Sequence, residues 1–466
     1  MDQHNENNAT IAIPDGKPAR KLRVLLETYG CQMNEYDSQL VRSILIKDNF
    51  EFVDDLKTAD VVVLNTCAVR DHAERKIFGR VHQIRHIRGK DNPLIIGILG
   101  CMATHLRKAL LDDAGLKIDF IAGPDSYKNL KDIIREAQAK GPKSFDVTLS
   151  EFETYSDVYP ARQKESVNAW VAIMRGCNNF CTFCVVPYTR GRERSRTLDN
   201  IMEEVKRLAS EGFKQVTLLG QNVNSWHDGP HDFAYLMGQI SQIKEIERIR
   251  FTSPHPKDFP DSLLDLMAVN PKVCRHIHLP LQAGSDRILE MMNRTYKAQE
   301  YLMLIDKIRS KIPHVVLTTD IIVGFPTETD EEFEDTRRIV EKVGFDSAFI
   351  FKYSQRQGTI AAKKYKDDVS DADKTKRIVL LNKIQQEITL QKNQAHIGQT
   401  HSVLIEPVLE GQGFNKAVGR TDGNKLVYLP LGENKPGDLV RVKITDASPH
   451  ALKGEYCYSG FPFSRE

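Results

Sequence analysis

Three cysteines within one short loop are the most informative feature of the chain. Cys177, Cys181 and Cys184 follow one another with C-x3-C-x2-C spacing in the run Arg-Gly-Cys-Asn-Asn-Phe-Cys-Thr-Phe-Cys, residues 175–184. Each iron of a cubic 4Fe–4S cluster normally takes one cysteine thiolate. Three close thiolates without a nearby fourth therefore leave one iron open to a substrate or cofactor. The competing interpretation is a zinc site or buried thiols, but zinc sites prefer paired C-x2-C units that supply four ligands.

A second set of three cysteines is dispersed along the first hundred residues. Cys31, Cys67 and Cys101 each follow a short apolar run that predicts a β-strand, at residues 22–28, 60–66 and 94–100. Parallel strands end at the same edge of a sheet, so we expect the three thiols to lie close together. Each also precedes a helix start, where backbone N–H groups stabilise a thiolate. The pattern predicts a second 4Fe–4S cluster with its own open iron, and three buried core cysteines are the alternative.

The elements around these cysteines predict an α/β protein of several domains. Between residues 21 and 140, four apolar runs alternate with helical patterns, which predicts a parallel sheet covered by helices as an amino-terminal domain. Residues 1–20 are polar and predict a disordered tail. Residues 141–166 lack periodicity and contain Pro142 and Pro160, which predicts a linker.

The rest of the chain predicts two further domains. Residues 167–396 contain six strand patterns separated by helices, at 169–174, 215–220, 248–252, 276–280, 315–323 and 348–353. This series favours an open, partial (β/α)6 barrel with its site at the carboxyl ends of the strands. Residues 397–460 contain short β-rich runs between Gly, Pro and Asp turns, which predicts a small all-β barrel of about five strands.

Composition excludes some classes of protein. The 466 residues allow two to four domains, and the net charge of +2 means that any nucleic-acid surface must be local. Residues 1–10 are polar and do not form a signal peptide, and no run reaches the ~18 apolar residues of a membrane span. We therefore expect no membrane contact and a cytoplasmic location, which also suits cysteines that must stay reduced to bind iron.

The motifs resemble those of the radical S-adenosylmethionine (radical SAM) methylthiotransferases over residues 21–460. The resemblance lies in the two cysteine sets, the carboxy-terminal barrel, the run 177–196, the Thr-Ser-Pro-His-Pro run at 252–256 and the His-Leu-Pro-Leu-Gln-Ala-Gly-Ser-Asp-Arg-Ile-Leu run at 278–289. It implies that the barrel is a TRAM domain. It also implies two 4Fe–4S clusters: Cys177, Cys181 and Cys184 hold the one that reduces S-adenosylmethionine, and Cys31, Cys67 and Cys101 hold the one that carries the transferred sulfur.

The resemblance further implies the substrate and the reaction. The quoted runs are most similar to the branch that adds a methylthio group to C2 of N6-isopentenyladenosine at position 37 of tRNA. That carbon is an unactivated aromatic C–H, which a carbon-centred radical attacks but a protein acid, base or nucleophile does not. Other targets remain open, namely threonylcarbamoyladenosine in tRNA or a ribosomal-protein aspartate. A non-catalytic iron–sulfur RNA-binding protein is a further alternative. We expect an electron donor such as flavodoxin or ferredoxin, a monomer, and no catalytic side chain beyond the cluster ligands.

The resemblance places the S-adenosylmethionine site at the ends of the barrel strands. The candidate cofactor-binding residues are Phe183, Gln221, Ser253, His255 and Gln282. Gln221 stands where the superfamily often has Gly-Gly-Glu, so it would offer the methionyl ammonium a neutral acceptor. Its alternative role is to cap a loop, and the other polar candidates are alternatively plain loop residues. Residues 320–326 resemble the strand that packs against adenine, although core packing explains their apolar side chains equally well.

Two basic segments are candidates for RNA contact. Arg190, Arg192, Arg194 and Arg196 alternate after the cysteine loop, and alternation in an extended segment directs side chains to one side, where they could bind phosphates. The alternative is a solvated loop whose arginines pair with acids such as Glu193.

The second segment is the basic helix between residues 70 and 90, whose stripe Ile77, Val81 and Ile84 is predicted to face the core. Its alternative is an ordinary charged helix face. The carboxy-terminal barrel is neutral, with seven Lys or Arg and seven Asp or Glu over residues 398–460. Its aromatic residues could stack on bases or fill the barrel; they are Phe414, Tyr428, Tyr456 and Tyr458.

Overall fold

The computed structural model describes residues 20–68, 71–88, 94–139, 143–162, 166–408 and 416–457. The predicted disordered tail lies outside the described residues except for Arg20, and so do Arg70, Lys90, Phe414 and Tyr458. Within the described ranges, no helix is both long and apolar enough to span a bilayer.

The amino-terminal domain is a parallel sheet with helices on both faces. Its strands are β1 (Arg23–Tyr29), β2 (Glu51–Phe52), β3 (Val61–Thr66), β4 (Ile95–Gly100), β5 (Phe120–Ala122) and β6 (Ser144–Asp146). Its helices are α1 (Gln32–Lys47), α2 (Asp71–Arg88), α3 (Cys101–Leu106), α4 (Lys108–Asp112) and α5 (Leu130–Gln138). The strand order is β2-β1-β3-β4-β5-β6, and every pairing is parallel.

Burial on both faces explains why these strands read as continuous apolar runs. All six residues of β3 are buried, as expected for a strand covered by helices on each side. One core cluster joins the sheet to α1 and α5, and another joins it to α2, α3 and α4. The predicted stripe of Ile77, Val81 and Ile84 is fully buried in the second cluster, which confirms that part of the prediction.

The predicted linker is partly wrong. Ser144–Asp146 forms the edge strand β6, paired in parallel with β5. Tyr155 is fully buried, and its hydroxyl donates to the Pro124 carbonyl at 3.0 Å. A strand of three residues is too short to show a hydrophobic period, so the sequence pattern missed it.

The central domain is the predicted partial (β/α)6 barrel. Its strands are β7 (Asn168–Ala172), β8 (Met174–Arg175), β9 (Arg194–Ser195), β10 (Gln215–Leu219), β11 (His227–Asp228), β12 (His231–Asp232), β13 (Arg248–Phe251), β14 (His276–His278), β15 (Val316–Val323) and β16 (Ser347–Lys352). Its helices are α6 (Val186–Thr189), α7 (Leu198–Ser210), α8 (Phe233–Ser241), α9 (Asp261–Val269), α10 (Asp286–Met291), α11 (Ala298–Lys311), α12 (Asp330–Val343), α13 (Ile360–Lys364) and α14 (Asp371–Gln394).

Six of these strands form the barrel wall. Two parallel three-stranded sheets, β7-β10-β13 and β14-β15-β16, are joined by a parallel bridge between Ile249 and Val273. A large core cluster packs the surrounding helices onto this wall. Local signals set the helix starts: at α12 the Thr329 hydroxyl accepts from the Glu332 N–H while the Glu332 carboxylate accepts from the Thr329 N–H, a capping box.

The carboxy-terminal domain is the predicted five-stranded closed barrel. Its strands are β17 (Thr400–Glu406), β18 (Ala417–Thr421), β19 (Leu426–Leu429), β20 (Leu439–Ala447) and β21 (Leu452–Tyr456), in the order β17-β18-β19-β21-β20. It docks on the amino-terminal ends of the central strands. There, Arg248 donates to the carbonyls of Arg420 and Ser402 at 2.6 and 2.8 Å, and Arg250 donates to those of Asp422 and Thr421 at 2.7 and 2.6 Å.

Candidate active site

The dispersed cysteines come together at one edge of the amino-terminal sheet. Strand register aligns Tyr29 with Thr66 and Thr66 with Gly100. Cys31, Cys67 and Cys101 follow these aligned residues and form what we call the amino-terminal trio. Cys67 and Cys101 are 2% and 4% exposed, and Cys31 is half-buried. Strand register therefore places the three cysteines at the same edge of the sheet.

The backbone before this trio is tightly packed. Gly100 has φ +84°, and a Cβ built there would lie 2.5 Å from the Thr66 carbonyl oxygen and from Asn65 Oδ1. Only glycine satisfies both the left-handed conformation and the close approach. Asn34 Nδ2 donates to Asn65 Oδ1 at 3.1 Å, and Cys31 Sγ donates to Asn34 Oδ1 at 3.3 Å. This buried amide pair ties α1 to β3 beneath the thiols.

The thiols of the amino-terminal trio differ in acidity. A hydrogen bond from Cys67 lowers the pKa of Cys31 despite its burial, and the charge of Arg190 lowers it further. Burial raises the pKa of Cys101, although Arg190 opposes that shift. Arg190 Nε donates to Cys101 Sγ at 3.1 Å. A buried cation beside thiols favours their deprotonation, which metal binding requires.

The second set, which we call the loop trio, lies in the loop between β8 and α6. Gly176, immediately before Cys177, has φ +78°, and a Cβ there would lie 2.0 Å from the Arg192 carbonyl oxygen. The loop is anchored from a distance: Thr182 Oγ1 donates to the Met291 carbonyl at 2.8 Å, and Asn293 Nδ2 donates to the Phe180 carbonyl at 3.1 Å. The loop that carries Cys177, Cys181 and Cys184 is therefore held in place by the last residue of α10 and the segment that follows it.

Burial dominates the acidity of Cys177 and Cys184 in the loop trio. It raises the pKa of Cys177 to about 11 and that of Cys184 to about 12. Arg294 Nη1 donates to Cys181 Sγ at 3.3 Å, with the Arg294 side chain itself buried. Thiols with raised pKa values are protonated at neutral pH, so a metal must displace their protons when it binds.

Two cysteines of the amino-terminal trio and one of the loop trio open onto shared space. Cys31, Cys67 and Cys184 line one cavity of about 1750 Å³ that runs between the three domains. A smaller cavity of about 170 Å³ is lined by all three cysteines of the loop trio. Phe183, Cys184, Ser253 and Gln282 line both cavities, so the smaller one opens beside the larger.

The five predicted cofactor residues converge on the smaller cavity. Phe183, Gln221, Ser253, His255 and Gln282 all line it. Gln221 Oε1 accepts from the Gly176 N–H, so it also holds the cysteine loop, the alternative role considered for it. Ser253 and Gln282 have φ of 60° and 69°. Left-handed backbone at non-glycine residues is uncommon and concentrates at functional sites.

His255 is present as a neutral imidazole. Burial, with Arg294 and Lys257 nearby, lowers its pKa to about 2. Its Nδ1 accepts from the Lys257 N–H at 3.3 Å, whereas its buried Nε2 lacks a hydrogen-bond partner among the described residues. A buried polar atom without a partner commonly marks a position that a ligand satisfies.

Sequence reasoning missed three polar groups of this site. His278 Nε2 lies 3.1 Å from Asp320 Oδ2, and both residues line both cavities. An aspartate within the apolar strand β15 was an available signal, since a barrel strand alternates between its interior and its helix-facing side. Arg294, beside Cys181, lay outside every motif considered.

The predicted arginine stripe is not formed. Arg190, Arg194 and Arg196 are 3%, 8% and 4% exposed, and their ion-pair partners are Asp37, Asp125 and Glu204 respectively. The prediction that all four arginines point the same way is wrong, because Arg190 caps α6 while β9 holds Arg194 against β8. Arg192 alone of the four is exposed, with its guanidinium 4.3 Å from the Phe180 ring centroid.

Two arginines of the basic helix α2 form ion pairs within the amino-terminal domain. Arg80 pairs with Glu27, and Arg85 pairs with Asp119 at 2.9 Å. These pairs favour the alternative of an ordinary charged helix face for this part of the segment. In the carboxy-terminal barrel, Tyr456 packs against the core, as expected for an aromatic residue that fills the barrel.

Each trio offers three thiols, the ligand type of iron–sulfur clusters. Among the described residues, no group of three His, Cys, Asp or Glu side chains is arranged to hold a single metal ion. A cubane takes one thiolate per iron and needs thiolates spread over its corners. Each trio also has a buried arginine donating to one sulfur. Either trio could therefore hold a 4Fe–4S cluster.

Comparison with protein families gives a match for each domain. Residues 171–340 match the Radical SAM superfamily, residues 23–123 match the Uncharacterized protein family UPF0004, and residues 394–456 match the TRAM domain. The fold and the loop trio thus define a radical SAM enzyme with an amino-terminal cysteine domain and a TRAM barrel, the arrangement of a radical SAM methylthiotransferase.

Curated relatives refine that class. A tRNA-2-methylthio-N(6)-dimethylallyladenosine synthase of Bacteroides fragilis is 42% identical over 443 residues, which cover 94% of this chain and 96% of the relative. The protein of the same name from Chloroherpeton thalassium is 44% identical over 437 residues, covering 93% and 96%. The chain belongs to the family of tRNA-2-methylthio-N(6)-dimethylallyladenosine synthases.

Solved structures share the fold at low identity. The radical S-adenosylmethionine methyltransferase TsrM from Kitasatospora setae, with cobalamin and a 4Fe–4S cluster bound, superposes with a TM-score of 0.55 at 14% identity and covers 74% of each chain. The cobalamin-dependent radical enzyme OxsB in its apo form gives a TM-score of 0.52 at 12% identity, covering 77% of this chain and 56% of that one.

Proposed function

We propose that this chain is a tRNA methylthiotransferase that converts N6-isopentenyladenosine at position 37 to its 2-methylthio derivative. One observation carries the proposal: Cys31 and Cys67 of the amino-terminal trio line the same cavity as Cys184 of the loop trio, which belongs to a different domain. Sulfur insertion at an unactivated carbon needs a radical source and a sulfur carrier within reach of one substrate atom. Two cysteine trios with members on one cavity would supply that arrangement if each holds a cluster.

The cofactors would be two 4Fe–4S clusters and S-adenosylmethionine. The loop trio would hold the cluster that binds S-adenosylmethionine, and the amino-terminal trio would hold the auxiliary cluster. When bound, these groups supply the electron and the radical chemistry that protein side chains lack. The protein's part is to bind, orient and shield them.

Side chains of the smaller cavity would orient S-adenosylmethionine. Gln221 holds the cysteine loop through Gly176. Because His255 Nδ1 accepts from the Lys257 N–H, the neutral ring carries its proton on Nε2, so this unpartnered nitrogen offers a donor to an acceptor atom of the cofactor. Phe183 would cover the cofactor and exclude water, because it separates the two cavities that it lines. Water exclusion protects a reactive radical from side reactions.

The larger cavity would admit the modified nucleotide. Its volume of about 1750 Å³ exceeds the ~300–1,000 Å³ of ordinary small-ligand pockets, so it has space for a nucleotide extruded from an RNA loop. A tRNA substrate and thiols that must stay reduced favour a cytosolic location. We further propose a flavodoxin or ferredoxin as electron donor and a monomeric enzyme.

The proposal is tested by product formation in anaerobically reconstituted protein. Protein, reductant, S-adenosylmethionine and isopentenyladenosine-containing tRNA are incubated, and the nucleosides are identified by mass spectrometry. We expect 2-methylthio-N6-isopentenyladenosine from the wild type and none from Cys67→Ala. Cys274→Ala is the matched control, because Cys274 is a buried cysteine outside both trios. Product from Cys67→Ala would refute the proposal.

Iron counting tests the two clusters separately from turnover. About eight irons and eight acid-labile sulfides per chain are expected for two cubanes, and about four of each after Cys67→Ala. A wild-type count near four would remove the auxiliary cluster.

The alternatives predict different products. Threonylcarbamoyladenosine tRNA or a ribosomal-protein aspartate would be modified in place of the isopentenyl substrate. A non-catalytic RNA-binding protein would bind tRNA but release no 5′-deoxyadenosine from S-adenosylmethionine.

A further inference from the structure

One arginine that follows the loop trio in sequence contacts a cysteine of the amino-terminal trio. Arg190 lies six residues after Cys184 and caps helix α6. Its side chain nevertheless points into the amino-terminal domain, where Nε donates to Cys101 Sγ at 3.1 Å and Nη2 donates to Asp37 Oδ2 at 2.7 Å. Asp37 is fully buried, and Arg190 is 3% exposed. The contact therefore joins the two domains at the auxiliary thiols.

The charges at this contact do not balance within the protein. Arg175 Nη2 also donates to Asp37, at 2.7 Å, and is 1% exposed. Tyr127 adds a neutral hydroxyl at 3.4 Å from the same carboxylate. Two guanidinium groups thus share one carboxylate, which leaves one positive charge in excess in a buried position. Such a charge is costly unless a further anion lies beside it.

The amino-terminal trio is where that anion would reside. A cubane core in its doubly positive oxidised state, held by three thiolates, carries one net negative charge. That charge would offset the excess of the arginine pair. Within the described residues, Nη1 of Arg190 is buried and has no hydrogen-bond partner, so this guanidinium retains one donor for a neighbouring acceptor.

We propose that Arg190 is a positioning residue for the auxiliary cluster, orienting Cys101 and raising the reduction potential of the cluster that this trio holds. The inference rests on the second cluster of the proposed function. A nearby cation stabilises the more negative reduced state, and outer hydrogen bonds to ligands are a main control of cluster potential. Arg190 thereby links the loop that binds S-adenosylmethionine to the auxiliary site.

Arg294 supplies an internal comparison. It donates to Cys181 Sγ at 3.3 Å and is 8% exposed, but it contacts the loop trio. Each trio therefore has its own arginine. Replacing Arg190 should change only the auxiliary cluster, whereas replacing Arg294 should change only the other.

The test measures each cluster alone and requires no turnover. A background with Cys177, Cys181 and Cys184 changed to alanine retains only the auxiliary cluster. Three variants are made in this background: Arg190→Gln, Arg190→Lys and the exposed control Arg192→Gln. Each is reconstituted and titrated with dithionite and mediators, and the reduced cluster is followed by electron paramagnetic resonance. We expect Arg190→Gln to shift the one-electron equilibrium at least tenfold toward the oxidised state, about 59 mV. Arg190→Lys should shift it less, and Arg192→Gln should not shift it.

A second background separates a local role from a general folding role. With Cys31, Cys67 and Cys101 changed to alanine, Arg190→Gln should keep the iron content and potential of the remaining cluster. Loss of iron from Arg190→Gln in the first background alone would also support the proposal. Equal potentials for Arg190→Gln and its parent, or iron loss in both backgrounds, would overturn it. Absence of any cluster from the first background with Arg190 intact would overturn the two-cluster function as well.

Discussion

Asp37 is the residue whose replacement should most weaken the contact between the amino-terminal and central domains. Its carboxylate lies on α1 and is fully buried, and it accepts from Arg175 and Arg190 of the central domain, each at 2.7 Å. Asp37→Asn keeps the shape of the side chain but removes its charge. Both guanidinium groups would then be buried without the carboxylate that they share.

The expected loss of stability in Asp37→Asn follows from the burial of the ion pairs and the distance between their charges. An ion pair at ~4 Å contributes about 4 kcal/mol at an effective dielectric constant of about 20. Removing one partner of a buried pair typically costs about 3–5 kcal/mol because the other charge remains buried. Asp37 has two partners, but both pair with the same carboxylate. We therefore expect Asp37→Asn to lower the free energy of unfolding by about 3–5 kcal/mol rather than by twice that amount.

The assay is urea unfolding of the reduced, metal-free protein. The first transition is the relevant one, because a chain of several domains need not unfold in a single step. Asp132→Asn, on the exposed side of α5, is the control and should change stability by less than about 0.5 kcal/mol. Adding Arg190→Gln to Asp37→Asn should recover part of the loss, since one of the two unpaired charges is then absent. An Asp37→Asn loss below about 1 kcal/mol would refute the reasoning.

Three further predictions concern RNA and pH. Phe349 and Phe351 of β16 line the larger cavity and are 54% and 39% exposed, so we expect them to stack on bases of the tRNA. Alanine at either position should weaken tRNA binding about 5- to 150-fold, the equivalent of about 1–3 kcal/mol. The control Phe152→Ala should leave tRNA binding unchanged. Arg192→Gln should lower the slope of log affinity against log salt concentration by about 1 if this exposed arginine binds a phosphate, and an unchanged slope would exclude that contact. Burial lowers the pKa of His396 to about 4, so its stabilising contribution is present above about pH 6.5 and is lost as the pH falls toward 4. Because the side chain is only half-buried, we expect His396→Gln to reduce that acid loss by about 1 kcal/mol in urea titrations, and identical pH profiles would contradict this.

The parts of the site that follow from chain topology were predictable. The cysteines of the amino-terminal trio follow strands in aligned register, so their convergence required only that the sheet be parallel. The five cofactor candidates likewise lie at or after strand ends and meet in one cavity. Hydrophobic period and turn residues are enough to locate strand ends, and strand ends locate sites in such folds.

Side-chain partners across domains were not predictable in the same way. The alternation of Arg190, Arg194 and Arg196 suggested a phosphate-binding surface, but each pairs with a carboxylate from a distant segment. The local sequence shows that an arginine is charged, but it does not show whether the side chain is buried, because burial here depends on how the domains pack together. The same limit applies to β6, whose three residues form a strand only because β5 offers an open edge.

The way in which the carboxy-terminal barrel is attached bears on whether it can be replaced by the barrel of another protein. Arg248 and Arg250 donate hydrogen bonds to main-chain carbonyls of the barrel rather than to its side chains. Carbonyl oxygens are present whichever amino acids the barrel carries, so these four contacts persist when its sequence diverges. One side chain of the barrel also matters, because Lys425 pairs with Asp346 at 2.9 Å. A barrel transplanted from a distant homologue should therefore bind in the same position provided that it keeps the backbone shape of residues 420–422 and a lysine at position 425.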